Sequence, residues 1–170
     1  MIRIERTDLP AGASLHVYDD GVGYCDCYTT ELDLEVSLQR FITTFYTTPL
    51  FRIERFLLGV LMKKPSNDND VQALAAGDQD HFAAWTVEAR HEDQMLLCDV
   101  SSRTRSWLHV QATVNGGARL YFGSAVLPAH TKPNGDADMG WLFRALLGFH
   151  KLYAVALLKS ATKRLAGRRP

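Results

Sequence analysis

The sequence predicts an α+β domain in which a curved antiparallel sheet packs around a long C-terminal helix. Residues 82–127 contain several segments rich in β-branched and aromatic residues, and short polar turns separate them, which is typical of consecutive antiparallel strands. Residues 139–166 instead show the 3.6-residue apolar spacing of one long helix. Two further helical segments directly follow the first full strand. Helices and strands are therefore segregated along the chain, as they are in α+β proteins.

The composition predicts a single domain over residues 1–170, with residues 1–13 and 167–170 at its periphery. The chain is 46% hydrophobic and 22% charged, which are ordinary values for a globular protein of this length. Its 19 Lys and Arg residues are balanced by 19 Asp and Glu residues. Because nucleic-acid-binding domains usually carry a basic excess, we expect no nucleic-acid partner.

The chain has no run of the roughly 20 apolar residues that a membrane span needs, and its N-terminus lacks the apolar core of a signal peptide. We therefore expect a cytoplasmic protein whose three cysteines, Cys25, Cys27 and Cys98, stay reduced. Cys25 and Cys27 lack the CxxC spacing of typical thiolate zinc sites, so no metal site is predicted. No phosphate-binding glycine loop or other cofactor motif occurs, so no cofactor is expected.

The first strands are predicted on either side of a turn. Residues 15–18 form a short strand-like run, and Asp20-Gly21 is a dipeptide that commonly joins hairpin strands. Residues 22–30 are rich in Tyr, Cys and Thr and form the first full strand.

Two consecutive helices are predicted next, with a bend at residues 47–49. The first has apolar residues at helical spacing, namely Leu38, Phe41, Ile42 and Phe45. Ser37 is the expected cap, because its hydroxyl can accept from a free amide in the first turn. Pro49 suits the first turn of the second helix, with Thr48 as its cap and an end near Lys63.

Residues 65–80 form the longest polar interruption and are expected to be a mobile loop with one short helix near residues 71–76. Long loops of this kind are either surface excursions or lids over a site, and both alternatives stay open.

Four strands are predicted after this loop, over residues 82–89, 94–100, 104–114 and 119–127. Asn115-Gly116-Gly117 is a strong hairpin signal between the last two. In the third strand Leu108, Val110 and Ala112 alternate with Arg105, Trp107 and His109. The apolar set is expected to face the core. The other set is then a solvated or interface face, unless it is the concave wall of a pocket.

The last helix, predicted over residues 139–166, has an apolar arc that covers about two-thirds of its circumference. A helix with such an arc is covered on more than one side. The second side could meet sheet side chains, a bound molecule or another subunit.

This order of elements resembles the helix-grip fold of the START and birch-pollen-allergen superfamily, in which a curved sheet wraps a long C-terminal helix. The resemblance covers about residues 22–166 and implies a ligand between the sheet and the last helix. Locally, the Phe149-His150-Lys151 motif and the later Leu157-Leu158-Lys159 resemble the tail of an uncharacterised bacterial family with a Phe-His-Arg/Lys motif on its last helix. Members of that family often accompany short-chain dehydrogenase-like domains.

The candidate catalytic residues are His150, His109 and Asp99. His150 lies at the edge of the apolar arc, where an imidazole must be hydrogen-bonded. It is either a core histidine or a general base or ligand anchor, and Asp99 would orient it if the fold brought the two close.

The candidate ligand-binding residues combine aromatic rings with one guanidinium group, the usual composition of a small-molecule site. They are Trp85, Arg105, Trp107, Tyr121, Phe149 and Tyr153.

Three functions are compatible with these patterns. The first is a module that binds a small hydrophobic molecule. The second is an enzyme of the cyclase, isomerase or dehydratase type that uses His150 or His109 as acid or base. The third is an interaction protein that forms a homodimer.

Overall fold

The computed structural model describes residues 2–63, 65–128, 130–131, 137–138 and 141–167. The side chains of residues 58–59, 61–62, 130–131, 137–138 and 141–150 lie outside this description. The described chain is α+β, with an open antiparallel sheet and four α-helices, the last of them C-terminal.

The main sheet has seven strands: β1 (Glu5–Arg6), β2 (Tyr24–Leu32), β3 (His81–Phe82), β4 (Trp85–Arg90), β5 (Gln94–Asp99), β6 (Thr104–Ala112) and β7 (Ala118–Val126). Their order in space is β1-β2-β7-β6-β5-β4-β3, and every neighbouring pair is antiparallel. Two short strands, β8 (His130–Thr131) and β9 (Ala137–Asp138), pair separately. The helices are α1 (Leu38–Tyr46), α2 (Pro49–Met62), α3 (Asp68–Ala76) and α4 (Trp141–Gly167).

The predicted boundaries of the helix pair are confirmed by their capping geometry. The Ser37 hydroxyl accepts from the Arg40 amide, and the Thr48 hydroxyl accepts from the Phe51 amide, each at 3.2 Å. Pro49 occupies the first turn of α2, and Lys63 follows the helix in the left-handed conformation. Local side-chain chemistry therefore sets where both helices begin.

The strand predicted over residues 15–18 is wrong, and so is its hairpin with residues 22–30. The structure has a 3₁₀ helix there, Ser14–Tyr18, and β2 pairs with β1 and β7 instead. The physical reason lies 80 residues away in sequence. The Gln94 side chain accepts from the Ser14 amide at 2.8 Å and donates to the Gly12 carbonyl at 3.0 Å. These bonds hold the segment across the sheet face, so it cannot pair along the edge.

Two other predictions need correction. The helix expected near residues 71–76 is longer, because Asn67 and Asp70 form a capping box that starts α3 earlier. Val71 and Leu74 are fully buried, so this helix contributes to the core. The single strand expected over residues 82–89 is divided into β3 and β4 by a turn at Ala83, whose φ is 52°.

The two faces of the sheet carry different cores. The helix-side face packs against α1, α3 and α4 around a large apolar cluster that includes Phe45, Leu108 and Phe122. The opposite face, the outer face, packs under residues 7–19, which we call the N-terminal strap. Leu15 of the strap is completely buried against this face.

The alternation predicted for residues 104–114 is confirmed for the face of β6 that packs against the helices. Leu108 and Val110 of β6 pack in the helix-side core. Trp107, on the alternate face, is also fully buried, because the strap covers it.

Candidate functional site: an apolar groove between two helices

An apolar groove of about 620 Å³ runs between α2 and α4. We call it the α2–α4 groove, and its walls are Leu50, Ile53, Glu54 and Leu57 from α2 and Leu152, Tyr153 and Ala156 from α4. Five of these seven side chains are purely hydrocarbon. The volume lies within the range of roughly 300–1,000 Å³ that is typical of small-molecule sites.

The groove exists because both helices are apolar on more than one side. In α2, Phe51 is buried in the core, whereas Ile53 and Leu57 are 60% and 52% exposed. In α4, Leu158 is fully buried on the core side, whereas Leu152 is 73% exposed. One apolar side of each helix is used for the core, and the other side remains at the surface as a wall of the groove.

One polar pair lies within these apolar walls. The Tyr153 hydroxyl donates a hydrogen bond to Glu54 Oε2, which joins α4 to α2. Burial raises the pKa of the Glu54 carboxyl above its usual range, and the Tyr153 hydrogen bond opposes this only in part. Burial and the adjacent carboxyl also raise the pKa of Tyr153, so its hydroxyl keeps its proton.

The cations nearest to Glu54 in sequence do not neutralise it. Arg52 and Arg55 both form ion pairs with Asp68, and the Arg55 contact is 2.8 Å. The Arg55 guanidinium also lies 6.0 Å from the ring of Phe82. Among the described residues, the partner of Glu54 is therefore a hydroxyl rather than a cation.

Sequence reasoning included Tyr153 among the ligand-binding residues and missed Glu54. In the sequence Glu54 stands between two arginines and resembles part of a solvated helix face. The available signal was the apolar composition of residues 56–62, which leaves α2 with three charged residues for a length of 14 residues.

Four other predicted residues share the outer face of the sheet: Arg105, Trp107, His109 and Tyr121. The His109 ring is stacked between Trp107 and Tyr121, with centroid distances of 5.4 and 5.3 Å. The structure thus brings them together as packed side chains beneath the strap. Their role in ligand binding stays a prediction.

The polar atoms of this stack are hydrogen-bonded. Trp107 Nε1 donates to Gln94 Oε1 at 2.9 Å, and the Tyr121 hydroxyl donates to Gln111 at 3.0 Å. His109 Nδ1 lies 3.1 Å from the Asp93 carbonyl oxygen. Buried polar groups in a protein core are normally hydrogen-bonded in this way.

Arg105 fastens the end of the strap to the sheet. Its Nε donates to Glu88 at 3.1 Å, and its guanidinium lies 4.4 Å from the ring centroid of Tyr18. The Tyr18 hydroxyl donates to the same Glu88 carboxylate. The predicted ligand-binding arginine is therefore held by Glu88, Tyr18 and the Ser102 carbonyl oxygen of the chain itself.

Asp99 stabilises the turn between β5 and β6. Its Oδ1 accepts from the amides of Arg103 and Thr104, both at 2.9 Å. The side chains of His150 and Phe149 lie outside the described residues. The predicted pairing of His150 with Asp99, and the enzyme function that depends on it, stay predictions.

Trp85 lies on the helix-side face and is 9% exposed, yet its Nε1 has no hydrogen-bond partner. The same face carries a buried polar row across adjacent strands. Ser124 donates to Asp26 at 2.6 Å, and the Ser106 hydroxyl lies 3.0 Å from that of Tyr46. Sequence reasoning included Trp85 among the ligand-binding residues, which stays a prediction, and it did not identify this row.

The cysteines have little reactivity in this fold. Burial raises the pKa of Cys25 and of Cys27 to about 12, so neither provides a thiolate at neutral pH. Among the described residues, no group of three or more His, Cys, Asp or Glu side chains is arranged to hold a metal ion. In the same part of the chain, no helix has the length and apolarity needed to cross a membrane.

This chain was also compared with protein-family models, with curated proteins and with solved structures, and none of them matches it.

Proposed function

We propose that this protein is a binding module for a small hydrophobic molecule, of the helix-grip type, and that the molecule binds in the α2–α4 groove. The observation that carries the proposal is the groove of about 620 Å³ with hydrocarbon walls, whose two helices are joined by the half-buried Glu54–Tyr153 hydrogen bond. Apolar walls with a few convergent polar groups are the usual features of a small-molecule site.

The exposure of the walls supports this function. Ile53, Leu57 and Leu152 are all more than half exposed in the unliganded chain. Contiguous exposed apolar side chains are unfavourable in water and usually mark a binding surface. A hydrocarbon ligand would cover these three side chains at once.

The helix-grip resemblance implies a ligand between the sheet and the last helix. We instead place the ligand on the other side of that helix. Leu157, Leu158 and Ala161 are at most 3% exposed and belong to the close-packed helix-side core. A ligand on that side would have to displace side chains that already pack there.

A titration with the neutral hydrophobic dye Nile red tests the proposal. We expect saturable binding to the wild-type protein with a stoichiometry of one. Leu57→Lys places an ammonium group in the apolar wall, and we expect it to weaken binding at least about tenfold. Val114→Lys is the matched control, because Val114 is fully exposed in the turn between β6 and β7 and does not line the groove.

Circular dichroism melting curves of both variants would verify that each is folded, since each substitution is made at an exposed position. Absence of saturable dye binding to the wild-type protein would contradict the proposal. Equal affinity of Leu57→Lys and the wild type would show that the dye binds elsewhere, which also contradicts it.

A second candidate function, homodimerisation, is favoured by a stripe along α2. Ile53, Phe56, Leu57 and Val60 have the spacing i, i+3, i+4, i+7, and each is more than half exposed. Such a stripe is what a helix presents to a partner helix. Phe56 lies on the stripe without lining the groove, so Phe56→Lys distinguishes the two functions.

For a dimer, sedimentation at micromolar concentration would give twice the monomer mass, and Phe56→Lys would return a monomer that still binds Nile red. A wild-type protein that sediments as a monomer throughout this range would eliminate the dimer.

A further inference from the structure

We propose that this protein forms a symmetric dimer through the edge of its main sheet, where residues 2–6 of one protomer pair with residues 2–6 of a second copy. We call these residues the β1 edge. This interface is separate from the α2 stripe and independent of ligand binding in the groove. β1 is the terminal strand of the sheet, so among the described residues no strand pairs with its other side. A strand in this position can pair with a strand of another chain.

The pairing of β1 with β2 shows which backbone groups are directed away from the sheet. The two strands are antiparallel, and the Thr7 amide donates to the Cys27 carbonyl oxygen at 3.0 Å. Successive residues of a strand direct their amides and carbonyls to opposite sides. Residues 5 and 7 are therefore directed toward β2. The amides and carbonyls of Ile4 and Arg6 are directed toward the free side.

The side chains of the β1 edge alternate between the two faces of the sheet. Arg3 and Glu5 line a cavity over the outer face together with Arg119 and Tyr121. Their own side chains form an ion pair at 2.7 Å. Ile4 instead packs against the helix-side core. This period of two indicates that the strand conformation of β1 continues back to residue 3.

The charges select one register for two antiparallel copies. When Ile4 is opposite Ile4 of the second copy, Arg3 is opposite Glu5 of the second copy, and the reverse pair forms by symmetry. The two adjacent registers that pair the same backbone groups place Glu5 opposite Glu5 or Arg3 opposite Arg3, which is destabilising. In the selected register the Arg3–Glu5 pairs occupy non-hydrogen-bonded positions, where opposite side chains are closest.

The composition of the β1 edge permits this pairing. Residues 2–6 contain no Lys or Pro, and no bulge interrupts the register of β1 with β2, so these common means of blocking an edge are absent from it. The side chains of Arg3 and Glu5 are 85% and 52% exposed, so both are accessible to a second chain. A second copy compensates both charges at once, which favours self-pairing over pairing with an unrelated strand.

Sedimentation of charge-reversed variants tests the dimer at low ionic strength, where surface charges are weakly screened. We expect the wild type to sediment at twice the monomer mass at micromolar concentration. Arg3→Glu places like charges opposite each other in both pairs, and so does Glu5→Arg. We therefore expect each variant to self-associate at least about tenfold more weakly. An equal mixture of the two variants restores opposite charges in both pairs, so we expect a heterodimer with the affinity of the wild-type dimer.

Two substitutions at residue 4 test the backbone part of the interface. Ile4→Pro removes the amide that is directed toward the free side and leaves the amides of residues 5 and 7 for β2. We expect this variant to be a monomer. Ile4→Ala is the matched control, because it shortens the same side chain and keeps the amide, so it should remain a dimer. Equal self-association of two variants that circular dichroism shows to be folded would contradict backbone pairing.

The remaining outcomes also decide the inference. It would be overturned by a wild type that sediments as a monomer throughout the micromolar range, by charge-reversed variants that each dimerise as the wild type does, or by a mixture that stays monomeric. A dimer that Phe56→Lys dissociates and Arg3→Glu does not would use the α2 stripe, and this too would overturn it. Nile red binding should be the same in every β1-edge variant, so the ligand-binding function is tested separately.

Discussion

The outer face of the sheet and the α2–α4 groove have similar side-chain compositions but differ in solvent exposure. Each combines large apolar or aromatic side chains with polar ones, among them Gln94 and His109 on the outer face and Glu54 in the groove. On the outer face the chain covers its own side chains with the N-terminal strap, and Trp107 is completely buried. In the groove, Leu57 and Leu152 are more than half exposed.

This difference shows that an aromatic, amphipathic composition does not separate a core from a binding site. What separates them is whether the same chain supplies the covering segment. On the outer face, the Gln94 side chain bonds the backbone of Gly12 and Ser14 and accepts from the Trp107 indole. In the groove, no described segment of the chain covers Leu57 and Leu152.

The largest loss of stability is expected from truncating Trp107 in the core of the outer face. Trp107→Ala removes a fully buried ring that packs against Leu15 and Tyr121, and we expect it to lower the free energy of unfolding by about 3–5 kcal/mol. Urea denaturation measures this change. Nile red binding by the protein that remains folded should be unchanged. A loss below about 1 kcal/mol would mean that the strap does not cover this face tightly in solution.

The next effect tests how the strap is held. Gln94→Met keeps the length of the side chain and leaves the Trp107 indole N–H and the Ser14 amide without their acceptor. We expect a loss of about 2–3 kcal/mol in urea denaturation, because both donors are at least partly buried. Gln111→Met, at an exposed position where the side chain accepts from the Tyr121 hydroxyl, is the matched control and should cost less than about 1 kcal/mol.

Limited proteolysis adds a readout that is specific to the strap. If Gln94 fastens it, residues 7–19 should be cleaved faster in Gln94→Met than in the control. Equal cleavage rates would show that apolar packing alone holds the strap.

A smaller effect compares two buried tryptophans. Trp107 Nε1 donates to Gln94 at 2.9 Å, whereas Trp85 Nε1 is buried without a partner. Trp85→Phe should therefore lower the free energy of unfolding by about 1–2 kcal/mol less than Trp107→Phe does. The reason is that the Trp85 substitution removes a buried donor that has no partner among the described residues, whereas the Trp107 substitution breaks a hydrogen bond. Equal losses in urea denaturation would indicate that the Trp85 indole N–H is hydrogen-bonded in solution.

The smallest effect expected is a pH dependence of stability that comes from Glu54. The raised pKa of Glu54 means that the folded protein keeps a proton that the unfolded chain has already released. Its contribution to stability is therefore complete below the unfolded pKa and is lost as the pH rises through the folded pKa. Glu54→Gln does not titrate, so its stability relative to the wild type should increase with pH across this window.

Urea denaturation of both proteins from pH 4 to pH 8 measures this difference. Among the described residues, Arg52 and Arg55 of α2 pair with Asp68 of α3, and Tyr153 of α4 is the hydrogen-bonding partner of Glu54. The substitution leaves those charged groups in place, so their titration should cancel in the comparison. A difference in stability that is constant with pH would show that Glu54 titrates like an exposed carboxyl.

Much of the fold could be predicted because its signals are local. Ser37 and Thr48 cap the helices that follow them, and Asn115-Gly116 begins the turn between β6 and β7. The 3.6-residue pattern of the last segment predicts a helix over residues 139–166, and α4 is observed over Trp141–Gly167. In each case the deciding interaction joins residues a few positions apart.

The failures occur where the deciding interaction is distant. Residues 15–18 form a 3₁₀ helix because Gln94 binds the segment from another strand, and no local pattern contains that contact. The role of Glu54 depends on Tyr153, which lies 99 residues later on a different helix. The apolar arc of α4 predicts cover on a second side, which stays a prediction, and the pattern alone did not identify α2 as the neighbour.

The sequence by itself determined the kind and order of the elements, because capping, turn chemistry and apolar periodicity act over one or two turns of chain. Only the tertiary structure decided which apolar surfaces are covered. The strap reaches the outer face and buries Trp107, while α2 and α4 approach each other with Leu57 and Leu152 still exposed. Burial depends on which distant segments meet, so the distinction between core and groove required the packed chain.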